Sequence, residues 1–210
     1  ETLTFLPTTD GRPYYRTPDG DCYRVYRFIG HALSLDSAST PEEFAESAHA
    51  FGRFQRMLAD FPAERLHETI PHFHDTPKRL RDFRETVEKD PLGRAKDVQQ
   101  EIRFVLDRAG EVGTVTDAIA DGSVPLRVTH NDTKLNNVLL DETTHKGLCV
   151  IDLDTVMPGS MLYDYGDSLR FGASTAAEDE RDLGRVHFDL DYFRAYTKAY
   201  LEELGDSITP

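Results

Sequence analysis

A short stretch in the second half of the chain concentrates acid, amide and amine side chains. Asp132 is followed five residues later by Asn137 and twenty residues later by Asp152, while His130 and Lys134 flank it on either side. This is the order H-x-D-x-x-x-x-N, followed by a strand-ending Asp, that is typical of kinase catalytic and metal-binding loops. The spacing therefore predicts phosphoryl-transfer chemistry.

Each of these side chains suits one task in that chemistry, which depends mainly on positioning and electrostatics. We expect Asp132 to be the base that accepts the proton of the acceptor hydroxyl. Asn137 and Asp152 offer hard oxygen ligands, which suit Mg²⁺ shared with the phosphates of ATP. Lys134 can place a positive charge beside the transferring phosphate. His130 is expected to hold the loop by packing and hydrogen bonding.

Short apolar segments surround these residues and are too brief for ordinary helices. The segments LRVTH, VLLD and LCVIDLD, separated by polar loops, predict three strands. Asp132 and Asn137 then lie in the loop between the first two strands, and Asp152 opens the loop after the third. Two loops should therefore meet at one edge and bring the acids and the amide together.

The rest of the chain divides into an extended part and a helical part. Residues 1–30 carry aromatic and β-branched runs separated by turns, which predicts two or three antiparallel strands. Thr40 is a predicted helix N-cap followed by proline and two acids, so a helix should run to about residue 60. Helical spacing recurs in four later segments. These segments are residues 78–89, 95–121, 163–171 and 189–204, with a turn expected at Pro158 and Gly159.

Composition narrows the possible classes of partner. The formal net charge of −14 repels phosphate backbones and anionic lipid surfaces, so neither nucleic acid nor a membrane is an expected partner. No apolar run approaches the roughly 18 residues that a membrane-spanning helix needs. Cys22 and Cys149 are far apart, and Cys149 lies in an apolar run, which favours a reducing cytoplasm.

The segment from VTHNDTKLNNVLLD to GASTAAEDERDL resembles the aminoglycoside phosphotransferase and choline kinase family, and within it the bacterial N-acetylhexosamine 1-kinases. The resemblance extends back to CYRVYRFIG. It implies an α+β, protein-kinase-like fold, in which a mostly helical C-lobe carries short catalytic-loop β-hairpins after the last strands of an N-lobe. It also implies ATP, Mg²⁺ and transfer of the γ-phosphate to the anomeric hydroxyl of an N-acetylhexosamine. Asn131 and Lys134 stand where broad family members often have glycine and histidine, which favours the hexosamine branch.

By the same resemblance, residues 1–30 are the remnant of an N-lobe sheet and its hinge, and residues 31–210 are the C-lobe. The backbone of Arg27, Phe28 and Ile29 would then meet the adenine ring. The first lysine of the chain is Lys78, and no early glycines form a phosphate loop, although such kinases need both features. We therefore expect a fragment that is shortened at both ends and has little or no turnover by itself.

Two further groups of residues give weaker indications of a functional site. Asp164, Asp167 and Arg170 are about one helical turn apart and could face the sugar, or could instead be helix-terminal charges and an i,i+3 ion pair. The loop residues His67, His72, His74 and Asp75 have a zinc-like composition, but prolines interrupt them, so we expect solvated or capping residues. The acidic run AEDERD is expected to be a solvated loop.

Two alternatives to a sugar kinase remain open. A kinase of the same fold could phosphorylate choline, homoserine or an aminoglycoside, and a cationic acceptor of this kind would require acids or an aromatic cage. A kinase-like lobe that binds without transferring phosphate is the other alternative. The intact set of Asp132, Asn137 and Asp152 disfavours it. The sequence leaves the oligomeric state open.

Overall fold

A computed structural model describes residues 2–208 of the chain. Within this range the chain forms helices joined by short strands. The helices are α1 (Pro41–Met57), α2 (Thr76–Lys89), α3 (Gln99–Asp107), α4 (Thr114–Ala120), α5 (Met161–Gly172) and α6 (Leu190–Leu204). The strands are β1 (Phe5–Leu6), β2 (Tyr15–Arg16), β3 (Cys22–Tyr23), β4 (Val25–Tyr26), β5 (Ala32–Leu33), β6 (Arg127–Thr129), β7 (Val138–Asp141), β8 (Gly147–Val150) and β9 (Met157–Gly159). None of the described helices is long and apolar enough to cross a bilayer.

The strands pair in four small antiparallel groups. In the N-terminal part β1 pairs with β4, and β2 pairs with β3. A three-stranded sheet has the order β5-β7-β8, so the segment that follows the N-terminal strands is hydrogen-bonded to the strand that follows Asn137. β6 pairs with β9, with Val128 opposite Pro158.

The hydrophobic core lies mainly between α1 and α6. Phe44 and Phe51 of α1 and Tyr196 and Tyr200 of α6 are almost completely buried. The two helices approach closely at Gly52, where a Cβ atom would lie 2.8 Å from Cβ of Glu203. Glycine is therefore needed there to let the helices pack, and this packing supports the strands that carry the catalytic loop.

The predicted first helix is confirmed. The side chain of Thr40 accepts a hydrogen bond from the amide of Glu43 at 3.2 Å, and Pro41 occupies the first helical position. A threonine cap satisfies an amide that has no partner within the helix, and proline suits the first turn because its missing N–H costs nothing there. Buried residues of α1 recur at helical spacing, as the pattern indicated.

One expectation about secondary structure was wrong, and another is refined by the structure. The helical spacing over residues 95–121 corresponds to two helices, because the segment between α3 and α4 contains Gly110 and Gly113, and glycine is about 1 kcal/mol less favourable than alanine within a helix. Pro158 and Gly159 lie in β9 rather than in a turn. A Cβ atom at Gly159 would lie 2.5 Å from Oγ1 of Thr129, so this glycine permits close approach of two strands.

The N-terminal strands are largely exposed and are joined to the rest of the chain by few contacts. Arg24 forms an ion pair with Asp154, which lies in the loop that begins at Asp152. Ser34 Oγ donates a hydrogen bond to the carbonyl of Asn136 at 2.8 Å. The division into a lobe remnant at 1–30 and a C-lobe at 31–210 stays a prediction.

Candidate active site

The two predicted catalytic loops meet at the backbone of Ile151. Its amide donates to the carbonyl of Asn137 at 2.9 Å, and its carbonyl accepts a hydrogen bond from Nε2 of His130, also at 2.9 Å. The β7–β8 pairing places Val138 opposite Val150 and so sets this register. Asp152 is the next residue after Ile151, so the hairpin places it beside both parts of the catalytic loop.

Asp132 and Asn137 are in direct contact. Nδ2 of Asn137 donates to the backbone carbonyl of Asp132 at 2.8 Å and to its Oδ2 at 3.0 Å. Nζ of Lys134 lies 3.7 Å from Oδ1 of Asp132. The amide nitrogen of Asn137 is thus committed to the acid, and its Oδ1 remains for a cation.

Asp152 has the properties of a cation ligand. Its backbone is in the left-handed region, with φ 58° and ψ 60°, which is uncommon for a residue other than glycine. Its side chain is exposed and makes no hydrogen bond to another residue in the described range. A carboxylate and an amide oxygen match the hard ligands that Mg²⁺ prefers, and Mg²⁺ usually completes its shell with substrate phosphates and water.

Asp164 lies beneath the catalytic loop. Its Oδ1 accepts the amide of Asn131 at 2.7 Å, and its Oδ2 accepts the amide of His130 at 2.9 Å and Nε2 of Gln55 at 2.6 Å. Burial raises the pKa of Asp164, while the N–H donors oppose this by stabilising the carboxylate. The residue is completely buried, so the expected sugar contact is replaced by a role in holding the loop.

Asp167 and Arg170 extend this support along α5. Oδ2 of Asp167 accepts the amide of Thr133 at 2.9 Å, and its Oδ1 forms an ion pair with Arg170 at 2.9 Å. The i,i+3 ion pair that the sequence allowed is therefore present. Neither residue is as deeply buried as Asp164, so both remain candidates for contact with a bound acceptor.

Glu178 is a member of the site that sequence reasoning missed. Its Oε2 lies 3.6 Å from Nζ of Lys134, and its Oε1 lies 2.6 Å from NH1 of Arg170. The hydrogen bond from Arg170 lowers the pKa of the Glu178 carboxyl. Glu178 belongs to the acidic run that we expected to be a solvated loop. Its ion pairs with Lys134 and Arg170 distinguish Glu178 from the neighbouring acids. No local sequence pattern predicts these two ion pairs.

The predicted nucleotide-binding residues lie in the exposed segment just after β4. The amide of Arg27 donates to the carbonyl of Thr4 at 2.9 Å, Phe28 is 88% exposed, and Ile29 is partly buried. In the described residues, no hydrogen bond or ion pair joins this segment to the catalytic loop. The structure therefore brings together Asp132, Lys134, Asn137 and Asp152, and leaves the adenine contact as a prediction.

Residues 9–204 match the phosphotransferase enzyme family, APH. The chain belongs to this family. The match includes Asp132, Lys134, Asn137, Asp152 and Glu178, so all the residues described above lie within the APH region.

Solved structures show the fold of this APH chain. An aminoglycoside phosphotransferase from Alicyclobacillus acidocaldarius subsp. acidocaldarius DSM 446 is similar over 96% of this chain and 59% of its own length, with a TM-score of 0.64 and 18% identity. A microcompartment-associated aminopropanol kinase is similar over the same shares, with a TM-score of 0.51 and 16% identity. The chain thus spans about 59% of the length of these proteins. The predicted α+β, protein-kinase-like fold is confirmed.

Proposed function

We propose that this protein transfers the γ-phosphate of ATP to the anomeric hydroxyl of an N-acetylhexosamine. The observation that carries the proposal is the convergence of Asp132, Asn137 and Asp152 on the two sides of Ile151. Membership of a phosphotransferase family supports the reaction type. The resemblance to N-acetylhexosamine 1-kinases supports the choice of acceptor.

In this proposal the chain's own groups position the reactants and move one proton. Asp132 accepts the proton of the attacking hydroxyl on a carboxylate oxygen, and the hydroxyl oxygen forms the new bond to the γ-phosphorus. The bond between the γ-phosphorus and the β,γ-bridging oxygen breaks, and its electron pair leaves on ADP. Lys134 stabilises the negative charge that is moved, as expected for a reaction dominated by electrostatics.

The residues present also fit a metal ion and a nucleotide. Oδ1 of Asn137 and the carboxylate of Asp152 would hold Mg²⁺, which when bound neutralises charge on the phosphates. Arg27, Phe28 and Ile29 would meet the adenine ring. The carbonyl and amide groups of Phe28 and Ile29 make no described backbone hydrogen bond, so they are available for this purpose.

A cationic acceptor is the second candidate, and one feature favours it. A cavity of about 590 Å³ beside the catalytic loop is lined by the acids Asp36, Glu178 and Asp189 together with Leu135. Acids around a cavity suit an amino alcohol or an aminoglycoside. Glu178, however, already bonds to two cations of this chain, which reduces its availability for a third.

The test is release of ADP by the full-length protein with MgATP and one acceptor at a time. The acceptors are N-acetylglucosamine, N-acetylgalactosamine, choline and kanamycin. We expect release only with the hexosamines, and a product whose phosphate is lost in mild acid, as a sugar 1-phosphate should be. Release with choline or kanamycin would establish the second candidate instead. Absence of release with all four would support a binding module or a different acceptor.

A further inference from the structure

A small cavity of about 270 Å³ opens next to the catalytic loop, on the side formed by the loop before α2 and the start of α5. Asn131 lines it, and the following residue is the proposed base, Asp132. His74 and Tyr163 line the same cavity. A ligand in this cavity would therefore contact the residue that precedes the proposed base in the predicted catalytic loop.

His74 has a buried ring nitrogen that makes no well-formed hydrogen bond. Nε2 of His74 is shielded from solvent, and among residues 2–208 only Asn131 is near enough to interact with the ring as a hydrogen-bonding group. Burial lowers the pKa of His74, and the charge of Asp167 and the nearby polar groups of Asn131 oppose this shift. An unsatisfied buried polar group costs about 1–3 kcal/mol, which a ligand hydroxyl or amide could recover.

Tyr163 forms a wall of the cavity together with His74. The two rings are stacked, with centroids 4.4 Å apart and planes at 21°. The hydroxyl of Tyr163 makes no hydrogen bond to another residue in the described part of the chain. The cavity is thus lined by two aromatic side chains, the polar atoms of which make no well-formed hydrogen bond in the described part of the chain.

The carboxylates at this cavity are partly used by the fold. Oε1 of Glu68 accepts the amide of His72 at 2.9 Å. Oδ1 of Asp75 accepts the amide of Lys78 at 2.8 Å, and its Oδ2 lies 3.1 Å from Nδ1 of His72. Asp75 therefore uses both oxygens to cap α2 and contact His72, while the second oxygen of Glu68 is left to accept a hydroxyl or amide N–H of a ligand.

Apolar side chains form the remaining surface. Ile119, Leu126 and Met157 line the cavity, so a methyl or ring C–H group would also be accommodated. The volume is below the roughly 300 Å³ at which pockets for drug-sized ligands begin. A single sugar ring with an acetamido group combines hydroxyl, amide and methyl groups at this size. A multi-ring aminoglycoside does not match this size.

We infer that this cavity is the acceptor site, and that His74 and Tyr163 hydrogen-bond to a neutral N-acetylated monosaccharide beside Asp132. The inference rests on the proposed function and gives it a location. It also explains the difference between His74 and its neighbours in the same loop: the expectation of a solvated or capping histidine holds for the exposed His72, but His74 is largely buried against Tyr163.

The test uses two substitutions that keep an aromatic ring and remove only the polar atoms. In the full-length protein, His74→Phe and Tyr163→Phe should each raise the KM for N-acetylglucosamine about tenfold, the effect of losing one hydrogen bond to a neutral group. The KM for MgATP should stay within about twofold of wild type, since the nucleotide lies elsewhere. His74→Phe should change stability little, because Nε2 of His74 makes no well-formed hydrogen bond that the substitution would break.

Two matched variants serve as controls. Tyr165→Phe changes a tyrosine two residues along α5 whose hydroxyl bonds to Thr197 at 2.7 Å, and His67→Phe changes an exposed histidine of the same loop as His74. Both controls should keep the wild-type KM for the sugar. If the wild-type protein is active with the sugar, and the His74→Phe and Tyr163→Phe variants keep the wild-type KM for the sugar, this cavity is not the acceptor site. If wild type is inactive with every hexosamine, the proposed function itself has failed, and this inference fails with it.

Discussion

At the scale of single residues, Asn137 connects the two chemical tasks of the site. Its Nδ2 bonds to the backbone and the carboxylate of Asp132, and its Oδ1 is left for a cation. The nitrogen of this amide therefore orients the proposed base, and the oxygen of the same amide is the proposed metal ligand. The register of β7 and β8 then places Asp152 next to this pair.

Asp132→Ala is the most direct test of the base. In the full-length protein we expect kcat to fall by about 10²–10⁴, the usual contribution of general base catalysis, with little change in the KM for MgATP. The measurement is steady-state ADP release with the preferred acceptor. Asp60→Ala, an exposed acid that makes no described hydrogen bond, is the control and should keep full activity. Near-normal turnover of Asp132→Ala would refute the assignment.

Asp164→Asn tests the residue that holds the catalytic loop. Both oxygens of Asp164 accept N–H groups, so an amide NH₂ would face at least one donor whichever way it turned. We expect the free energy of unfolding to fall by about 1.5–3 kcal/mol, the value of a hydrogen bond to a charged group. Urea denaturation measures it. Asp191→Asn, an exposed acid at the start of α6, should change stability by less than about 0.5 kcal/mol. Equal losses in both variants would contradict the assigned role.

At the scale of elements, α6 carries two buried tyrosines, which differ in whether the hydroxyl group has a hydrogen-bond partner. The hydroxyl of Tyr196 donates to Oγ of Ser168 at 2.7 Å, and Oγ of Ser168 donates to the carbonyl of Thr133 at 2.8 Å. The hydroxyl of Tyr200 is buried and has no partner in the described residues. Burial raises the pKa of both tyrosines, so both remain protonated.

This difference predicts opposite effects of the same substitution. Tyr196→Phe should lower the free energy of unfolding by about 1 kcal/mol, because Ser168 loses its donor. Tyr200→Phe should leave stability unchanged or raise it by up to about 1 kcal/mol, because it removes a desolvated hydroxyl. Urea denaturation of both variants at the same pH provides the comparison, and each variant is the control for the other. A destabilised Tyr200→Phe would show that its hydroxyl has a partner.

At the scale of the whole molecule, the metal and the nucleotide should be coupled to each other and to folding. Only two protein oxygens are assigned to Mg²⁺, and the described residues contain no cluster of three or more His, Cys, Asp or Glu that could hold a metal ion. Substrate phosphates and water would therefore complete the shell of a bound Mg²⁺. Ligands that bind only the folded state stabilise it by mass action.

MgATP should consequently stabilise the full-length protein where Mg²⁺ alone does not. At a nucleotide concentration one hundred times its Kd, we expect a gain of about 2.7 kcal/mol in the free energy of unfolding. Asp152→Asn should remove the part of this gain that depends on Mg²⁺, as measured by denaturation with MgATP and with ATP plus a chelator. Asp179→Asn, an exposed acid beside Glu178, is the control. Equal stabilisation of wild type by Mg²⁺ alone would show a metal site that needs no phosphate.

The sequence alone was sufficient to predict the elements whose formation depends on residues close to one another in the chain. Helix α1 could be predicted from its cap, its first-turn proline and its period, because each depends on neighbours within a few residues. The β7–β8 hairpin was equally predictable, and with it the meeting of Asn137 and Asp152, because a short turn leaves few registers. The wrong expectation, a turn at Pro158 and Gly159, concerns a glycine whose role depends on the strand that lies opposite it.

The chain's sequence by itself determined which groups are available for the proposed chemistry, namely the carboxylate of Asp132, the oxygens of Asn137 and Asp152 and the amine of Lys134, because residue types and their spacing are local properties. Only the tertiary structure decided which other polar groups serve them. Gln55 reaches Asp164 across 109 residues, and Glu178 reaches Lys134 across 44. Burial and pairing of this kind depend on how distant segments pack, and no periodicity or cap encodes that packing. For this reason Asp164 is found beneath the loop, Glu178 within the site, and His74 in a cavity beside the proposed base.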